Sequence, residues 1–462
     1  MNQKLTYDPK SAWYQTDQQA RAEINSFNEQ YKKFLDLSKT ERETVLEIEK
    51  AASAHGFVSL NNVQRLQAGS KVMFNYRGKV MMMAVIGHQP LDQGCNIVGA
   101  HVDAPRLDLK PNPLYEEHGL ALFKTHYYGG IKKYQWLSIP LALHGVICRR
   151  DGSSLAVSIG ENPDDPVFTI TDLLPHLAKK QMEKKLSEAV EGEGLNILIG
   201  GIPIDEQKAK NPVKLAILEI LHKKYAITEE DFISAELELV PTFKARDIGF
   251  DRSMVGAYGQ DDRVCVYTTL QAILKLPTPQ HTAVALFFDK EEIGSNGNTG
   301  MESRTFENFM AELLAKTGPQ YSELTLRRCL SNSKALSADV NAGFDPNYPD
   351  VLEKNNAARL GYGVGLTKYT GARGKSGTND AHAEFVAYVR NLFNHHQIPW
   401  QIGELGKVDQ GGGGTIAYMM AAYGMDVIDC GVPLLGMHSP FEVASKIDVY
   451  AAYQAYHVFF QQ

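Results

Sequence analysis

The sequence of 462 residues predicts an α/β fold, in which helices cover both faces of a sheet. Several short apolar runs stop abruptly at polar residues, as in "VMMMAVIGH", "NIVGAHVDA" and "TAVALFFDKEE". Continuous apolar strands of this kind suit a sheet that is buried on both sides. Helical patterns such as "VYTTLQAILKL" lie between the apolar runs, and this alternation is typical of an α/β domain.

The N-terminal part of the chain, roughly its first 60 residues, has a helical pattern. Thr40 followed by Glu43 fits a capping box, in which each side chain accepts a hydrogen bond from the other residue's backbone N–H. Val45 and Ile48 then recur at helical spacing. We therefore predict helices at this end of the chain.

The segment from about residue 108 to residue 246 has a different texture. It contains an aromatic, glycine-rich patch, "THYYGGIKKYQW", a strand-like alternation, "SLAVSIG", and two predicted helices, "LAKKQMEKKLSEAVEGE" and "VKLAILEILHKKY". Its acidic residues do not follow apolar strands. Because a chain of this length usually forms two or three domains, we predict one domain from residues 1–107 and 247–462, with a second domain, 108–246, inserted into it.

The composition argues against several classes of partner. The net charge of -7 is spread along the chain, so neither nucleic acid nor an anionic membrane surface is a predicted partner. The start, "MNQKLTYDPK", lacks the pattern of a signal peptide, and eighteen apolar residues nowhere run together. The five cysteines are scattered without a CxxC pair, so the sequence favours a reducing cytoplasm.

Histidine and acidic residues follow the predicted strands at the point where each strand ends. They are His101, Asp103, Glu291, Glu292, Asp339 and His438, together with Asp261 directly before a helix. In open α/β sheets, ligand sites lie outside the carboxyl ends of the strands. Like charges raise one another's pKa unless a cation is shared among them. Two imidazoles and three or more carboxylates suit two zinc-like ions that share one bridging carboxylate.

Each of these residues also has a purely structural interpretation. A single histidine at a strand end, such as His101 or His438, is commonly a hydrogen-bonded structural residue. An aspartate before a helix, such as Asp261, is commonly an N-cap, and a Glu-Glu pair is commonly part of a solvated face. The coincidence of all these features in one sheet favours a metal centre.

The order of five motifs resembles one known family of enzymes. The motifs are "HVDAPRLDLKP", "DDR", "EEIGS", "SADVNAGFDPNYPD" and "GMHSPFE". Their order resembles that of the aspartyl aminopeptidase and vacuolar aminopeptidase I family of dinuclear zinc exopeptidases, closest to its bacterial aminopeptidase 1 branch. The resemblance covers nearly the whole chain. It implies a zinc exopeptidase-like fold, with a mixed, mostly parallel sheet sandwiched by helices and a β-rich dimerisation domain at 108–246.

The resemblance also implies which residues hold the two zinc ions of each subunit. His101 and Asp339 hold one zinc, Glu292 and His438 hold the second, and Asp261 bridges them. Cobalt or manganese can substitute for zinc in such enzymes. The expected reaction is the removal of single N-terminal residues from short peptides.

Two carboxylates next to the metal ligands are expected to have other tasks. The resemblance makes Glu291 the general base. Asp103 lies two residues from His101, on the same side if the strand continues, and can accept the ring N–H of that histidine. The resemblance further implies that the peptide bond between Asp261 and Asp262 is cis.

Two further residues have expected roles in substrate preference and in contact with a neighbouring subunit. Lys368, in "GLTKYTG", matches a lysine that faces the acidic side chain of the substrate in aspartyl aminopeptidases, although Arg373 and Lys375 are alternatives. The preference for acidic or neutral N-terminal residues stays open. His176, in "LPHLA", matches a histidine that reaches into the neighbouring subunit's site. The resemblance implies dimers that assemble into a tetrahedral dodecamer.

Two other classes of function fit part of the pattern. A dinuclear carboxypeptidase or N-deacylase of the same superfamily would use a similar set of metal ligands, and peptides with free and with acetylated N-termini distinguish it. A non-catalytic, metal-stabilised binding protein would not need Glu291, and full metal occupancy without peptidase activity would favour it.

Overall fold

The computed structural model describes residues 5–205, 209–318 and 321–462. The chain divides into two compact units. The first contains the chain up to Asp103, Ala245–Met437 and Phe441–Gln462, and the second contains Ala104–Lys244 with His438–Pro440. The assignment of residues 108–246 to dimerisation stays a prediction.

Within the described ranges there are eleven α-helices, numbered in chain order. Their bounds are α1 Gln18–Leu37, α2 Glu41–Ala54, α3 Lys179–Met182, α4 Leu186–Ala189, α5 Pro212–Tyr225, α6 Gln260–Leu274, α7 Thr305–Thr317, α8 Glu323–Asn332, α9 Ala383–His395, α10 Ala417–Ala421 and α11 Lys446–Phe460. Among the described residues, no helix is both long and apolar enough to cross a membrane.

The same ranges contain twenty strands. Their bounds are β1 Val58–Ser59, β2 Lys71–Tyr76, β3 Val80–Val85, β4 Cys95–His101, β5 Arg106–Glu117, β6 Leu120–Tyr128, β7 Leu141–Cys148, β8 Ser154–Ile159, β9 Ile197–Gly200, β10 Ala235–Pro241, β11 Arg246–Ile248, β12 Met254–Ala257, β13 Thr282–Phe288, β14 Lys334–Ser337, β15 Asn341–Ala342, β16 Val364–Thr367, β17 Trp400–Ile402, β18 Asp426–Gly431, β19 Pro433–Leu435 and β20 Glu442–Ser445.

The first unit is built on a nine-stranded sheet with the order β1-β2-β3-β13-β4-β14-β18-β16-β17. Five of its eight strand pairs are parallel, and the four central strands, β13, β4, β14 and β18, all run in the same direction. This topology confirms the predicted mixed, mostly parallel sheet. The carboxyl ends of the four central strands therefore lie at one edge.

Both faces of this sheet are buried. Successive side chains of a strand point to opposite faces, so neighbouring residues report on the two sides. Along β13, Phe287 lies in a core that includes residues of α6, α9 and α11, whereas Phe288 lies in a core that includes residues of α7 and α8. Every residue of β13 is buried. The predicted sheet with helices on both sides is confirmed.

The N-terminal helices also follow the prediction. Helix α2 begins after Thr40, whose side chain accepts a hydrogen bond from the Glu43 N–H, and the Glu43 carboxylate accepts the Thr40 N–H in return. The capping box is thus confirmed. Tyr31 of α1 and Ile48 of α2 are fully buried against the sheet, in the same core as Phe287.

A small five-stranded sheet, with the order β11-β12-β20-β19-β15, completes the first unit. Strand β12 leads directly towards helix α6 and pairs antiparallel with β20, so that Ala257 lies opposite Glu442. This pairing brings the C-terminal part of the chain to the start of α6.

The second unit contains a six-stranded sheet with the order β8-β7-β10-β5-β6-β9. Its paired strands are all antiparallel. The strand predicted at "SLAVSIG" is β8, and the helix predicted at "VKLAILEILHKKY" is α5. This β-rich unit confirms the expected additional β domain.

One helix predicted in this unit is wrong. The segment "LAKKQMEKKLSEAVEGE" forms two four-residue helices, α3 and α4, rather than one. Neither buries a residue, and Met182 and Leu186 are 75% and 64% exposed. Helical stability comes largely from packing an apolar face, and neither short helix has such a face buried in this unit, so the segment does not sustain one long helix.

Candidate metal centre

The ends of strands β13 and β4 bring the first acidic and imidazole groups together. The two strands pair in parallel, and their register places Phe288 opposite His101. After Phe288 the chain turns through Lys290, which has a positive φ of 69°, and enters a single 3-10 turn, Glu291–Ile293. The two glutamates therefore begin close to the level at which His101 ends its strand.

Asp103 holds these two strand ends in place. Strand β4 ends at His101, so Asp103 lies in the turn that follows and not in a continued strand. Its two carboxylate oxygens accept the backbone N–H groups of Glu291 and Glu292, both at 3.2 Å. His101 Nδ1 lies 3.1 Å from the backbone carbonyl oxygen of Asp103 and 3.2 Å from its Oδ1. Asp103 thus orients the imidazole through its carbonyl and its carboxylate, and the backbone of the glutamate turn through its carboxylate.

Asp261 lies at the start of helix α6. The backbone leaves helical geometry at Asp261 (φ -79°, ψ 108°), and the Asp261–Asp262 peptide bond is cis, which confirms the expectation from the resemblance. Oδ1 of Asp261 lies 3.2 Å from His101 Nε2. The irregular helix start therefore aims this carboxylate at the imidazole.

Asp339 lies just after the end of the next strand of the sheet. Strand β14 pairs in parallel with β4 and ends at Ser337, opposite Gly99. The backbone N–H of Ala338 still donates to the Gly99 carbonyl, at 2.7 Å. Asp339 follows directly, and its Oδ1 lies 3.9 Å from His101 Nε2.

These residues converge around His101 Nε2. Three overlapping groups each have their ligand atoms within 4.8 Å of one another: His101 with Asp261 and Glu292, His101 with Glu291 and Asp339, and Asp261 with Asp262 and Asp339. Five of the predicted site residues thus share one cluster, with Asp103 directly behind it.

Burial makes this concentration of charge costly. Burial raises the pKa of Asp339 well above its ordinary value, and the negative charge of Glu291 raises it further. Burial likewise raises the pKa of Asp262. For His101, burial alone lowers the pKa, but the carboxylates of Asp103 and Asp261 outweigh this effect and raise it well above its ordinary value. In such a cluster either bound protons or a bound cation can reduce the repulsion between the carboxylates.

The donor set fits zinc. Zinc accepts imidazole nitrogen and carboxylate oxygen as ligands, and both are present in the cluster. His101 contacts Asp103 through Nδ1 and presents Nε2 to the other carboxylates. This carboxylate–histidine arrangement fixes the imidazole tautomer and ring orientation that a metal needs.

The remaining predicted residues lie outside this cluster. His438, in the second unit, has a positive φ of 65°, and its Nδ1 lies 2.8 Å from the Gly130 carbonyl oxygen. His176 lies exposed in a short 3-10 turn, Pro175–Leu177, of the same unit. Lys368 follows β16 in the first unit and pairs with Asp380 at 2.7 Å. The roles of His438, His176 and Lys368 stay predictions.

The sequence did not indicate Asp262 as part of the cluster. Its side chain is fully buried, and its Oδ2 accepts the backbone N–H of His101 at 3.2 Å. The Asp-Asp pair of the "DDR" motif was a visible signal for this role, because only one of two adjacent aspartates is needed to cap a helix.

Comparison with known proteins identifies one family. The profile of the aminopeptidase I zinc metalloprotease family, M18, matches residues 34–460. The chain is 52% identical to the probable M18 family aminopeptidase 1 of Clostridium acetobutylicum, over 99% of both chains. It is 50% identical to the corresponding protein of Thermotoga maritima, over 98% of both chains.

Solved structures give the same result. The crystal structure of the M18 aminopeptidase from Thermotoga maritima superposes with a TM-score of 0.95, at 49% identity, over 99% of this chain and all of that chain. The dodecamer structure of mApe1 from S. cerevisiae shares the fold at 21% identity, with a TM-score of 0.76 over 94% of this chain and 96% of that one. The chain belongs to the aminopeptidase I zinc metalloprotease family, M18, and is an aminopeptidase.

Proposed function

We propose that the protein removes single N-terminal residues from short peptides with the help of two zinc ions. The observation that carries this proposal is the convergence of His101, Asp261, Glu291, Glu292 and Asp339 within one cluster at the strand ends. In the proposal, His101 and Asp339 hold one zinc ion, and Asp261 bridges to the second. Membership of an aminopeptidase family that is described as zinc metalloproteases supports it.

Glu292 and His438 hold the second zinc ion in this proposal. Glu292 shares a group with His101 and Asp261, which supports its place beside the bridging carboxylate. The contact of His438 Nδ1 with the Gly130 carbonyl, at 2.8 Å, favours the tautomer that has its proton on Nδ1 and its lone pair on Nε2, and a metal binds such a lone pair. Cobalt or manganese can take the place of zinc, because these ions accept the same nitrogen and oxygen ligands.

Glu291 acts as the general base. When bound, zinc supplies Lewis-acid chemistry, which polarises a carbonyl and lowers the pKa of water. The Glu291 carboxylate accepts a proton from the attacking water and later delivers a proton to the leaving amine. Its backbone N–H is bonded to Asp103, so the turn that carries this base is tied to the residue that orients His101.

The N-terminal residue that is released depends on Lys368 in this proposal. Its ammonium group would pair with the side-chain carboxylate of an acidic N-terminal residue. Lys368 is bonded to Asp380, and Lys375 binds the same carboxylate at 3.1 Å. An acidic substrate side chain would therefore have to compete with Asp380, and a neutral residue would not.

The proposed active form is a homo-oligomer in the cytoplasm. The family resemblance implies dimers that assemble into a tetrahedral dodecamer, and the mApe1 structure, a distant neighbour that shares the fold, is itself a dodecamer. In this arrangement, His176 reaches into the neighbouring subunit's site. Its exposed position beside Leu174 and Leu177, which are 50% and 68% exposed, supports a place at an interface.

One experiment tests the general base. Glu291→Gln should keep the zinc content but lower kcat by roughly 10²–10⁴, the usual contribution of a general base, in assays with aminoacyl substrates. Glu302→Gln, on the exposed end of the same loop, is the matched control and should change neither quantity. Near-normal turnover of Glu291→Gln would refute the assignment of this base.

The same variant tests His176. Dimers that combine one Glu291→Gln subunit with one His176→Phe subunit contain one site with both intact groups, if His176 acts across the interface. They should then be more active than either parent. Mixed dimers no more active than the parents would show that His176 does not act on the neighbouring site.

A further inference from the structure

Glu442 is a buried carboxylate to which the proposed reaction assigns no task. It is the first residue of β20 and is 1% exposed. It lies in the "GMHSPFE" motif, four residues after His438. Burying an ionised carboxylate is costly unless hydrogen bonds or charges compensate for the lost water. Its position in the first unit therefore needs a physical explanation.

The carboxylate of Glu442 contacts the backbone of Asp261. Oε2 of Glu442 accepts the Asp261 N–H at 3.1 Å. Asp261 is the second residue of α6, and the first N–H groups of a helix have no partner within the helix. Glu442 thus satisfies a donor at the point where the backbone leaves helical geometry to aim the Asp261 carboxylate.

The backbone of Glu442 is itself fixed by the neighbouring residues. Its carbonyl oxygen accepts the Gln260 side-chain amide at 2.7 Å, and the same amide donates to the Val255 carbonyl at 3.2 Å. The Gln260 oxygen in turn accepts the hydroxyl of Tyr31 at 3.1 Å. Strand β20 and the start of α6 are therefore joined by buried side chains of defined geometry.

We propose that Glu442 is a positioning residue of the metal centre. It holds the Asp261 N–H, and Asp261 Oδ1 lies 3.2 Å from His101 Nε2, so the orientation of the bridging carboxylate depends on it. Its negative charge also adds to the field that favours a bound cation. This inference rests on the proposed function, because it assigns a task towards the zinc ions.

Asp448 provides a matched control in the same unit. It is also a buried acidic side chain, and it also accepts backbone N–H groups, those of Gly361 at 2.6 Å and Gly363 at 2.7 Å. It belongs to helix α11 and is in none of the metal-binding groups of the described residues. If Glu442 only stabilised the fold, replacement of either carboxylate would leave the zinc affinity unchanged.

The test measures the zinc affinity of metal-stripped, folded full-length protein by competition with a chelating dye. Replacing a residue behind a metal ligand typically weakens metal affinity about 10- to 100-fold. Glu442→Gln keeps one acceptor oxygen but loses the charge, so we expect its loss of zinc affinity to lie near the lower limit of this range. For Glu442→Ala we expect a loss near the upper limit. Asp448→Asn should bind zinc within about twofold of the wild type, well below that range.

The outcomes separate this inference from the proposed function. Wild-type affinity in both Glu442 variants, or an equal loss in Asp448→Asn, would overturn the inference and leave the metal centre intact. If Glu442→Ala does not fold, the comparison of Glu442→Gln with Asp448→Asn decides alone. Zinc binding by the wild type that does not change in Asp261→Ala would instead refute the proposed metal centre.

Discussion

Asp103→Asn replaces a carboxylate by an amide of the same shape, and the geometry predicts a loss of zinc affinity. Each carboxylate oxygen of Asp103 accepts one backbone N–H, from Glu291 and from Glu292. An asparagine has a single acceptor oxygen. Its NH₂ group would therefore face one of these N–H groups or the ring of His101, and at least one hydrogen bond must be lost.

The size of the effect follows from the lost bond. A hydrogen bond to a charged group contributes about 1.5–3 kcal/mol, and each 1.4 kcal/mol corresponds to about a tenfold change in an equilibrium constant. If the whole loss falls on the metal-bound arrangement, zinc affinity should decrease roughly 10- to 100-fold. This range agrees with the typical effect of residues directly behind metal ligands.

The assay compares Asp103→Asn with Thr299→Val. The Thr299 hydroxyl donates to Asp289 Oδ2 at 2.7 Å and closes the loop that begins with the two glutamates, so its loss weakens the same loop without a direct effect on His101. Zinc affinity of the stripped protein, kcat at saturating zinc and the circular dichroism spectrum are measured for both. Wild-type zinc affinity in Asp103→Asn, with the fold intact, would refute this reasoning.

Three other predictions concern the bridging ligand, the substrate and a buried acid. Asp261→Ala should lose zinc from both sites, whereas Asp262→Ala should retain more of it, and metal analysis of the two variants distinguishes them. Lys368→Ala should lower kcat/KM for acidic relative to leucyl substrates, and an unchanged ratio would remove it from the pocket. Burial raises the pKa of Asp448 to about 8, above its value in the unfolded chain. The contribution of Asp448 to the free energy of unfolding is therefore full below about pH 4 and is lost as the pH rises towards 8. The difference in unfolding free energy between wild type and Asp448→Asn should therefore decrease over this range in denaturant titrations, and a flat difference would contradict the shift.

The strands and their polar ends could be predicted because the signal is local. A buried strand such as β13 is apolar on both faces, so the change to Glu291 and Glu292 marks its end in the sequence. Asp103 was predicted beside His101 on the premise of a continued strand. The structure reaches the same contact through a turn, because Asp103 also bonds to the backbone of the glutamate turn.

Contacts with the backbone could not be predicted in the same way. Glu442 binds a backbone N–H that is 181 residues away along the chain, and every residue except proline offers such a donor. The sequence therefore contains no pattern that identifies the partner. The broken helix around Met182 was mispredicted for a related reason, since the charge pattern of a segment does not reveal whether the fold gives it a surface to pack against.

Buried acidic groups next to the cluster accept backbone N–H groups of the predicted site residues. A carboxylate that binds a metal uses at least one oxygen for it, and a hydrogen bond to its backbone can fix its direction without occupying that oxygen. In the proposed centre, Asp103 and Glu442 do this by accepting the N–H groups of the glutamate turn and of Asp261. Both supports are acidic, and a carboxylate accepts stronger hydrogen bonds than a neutral acceptor while it adds negative charge beside the proposed cation site. An acidic residue near a metal ligand in this sequence is therefore as well explained by support of the backbone as by direct metal binding, and only the geometry of the fold distinguishes the two.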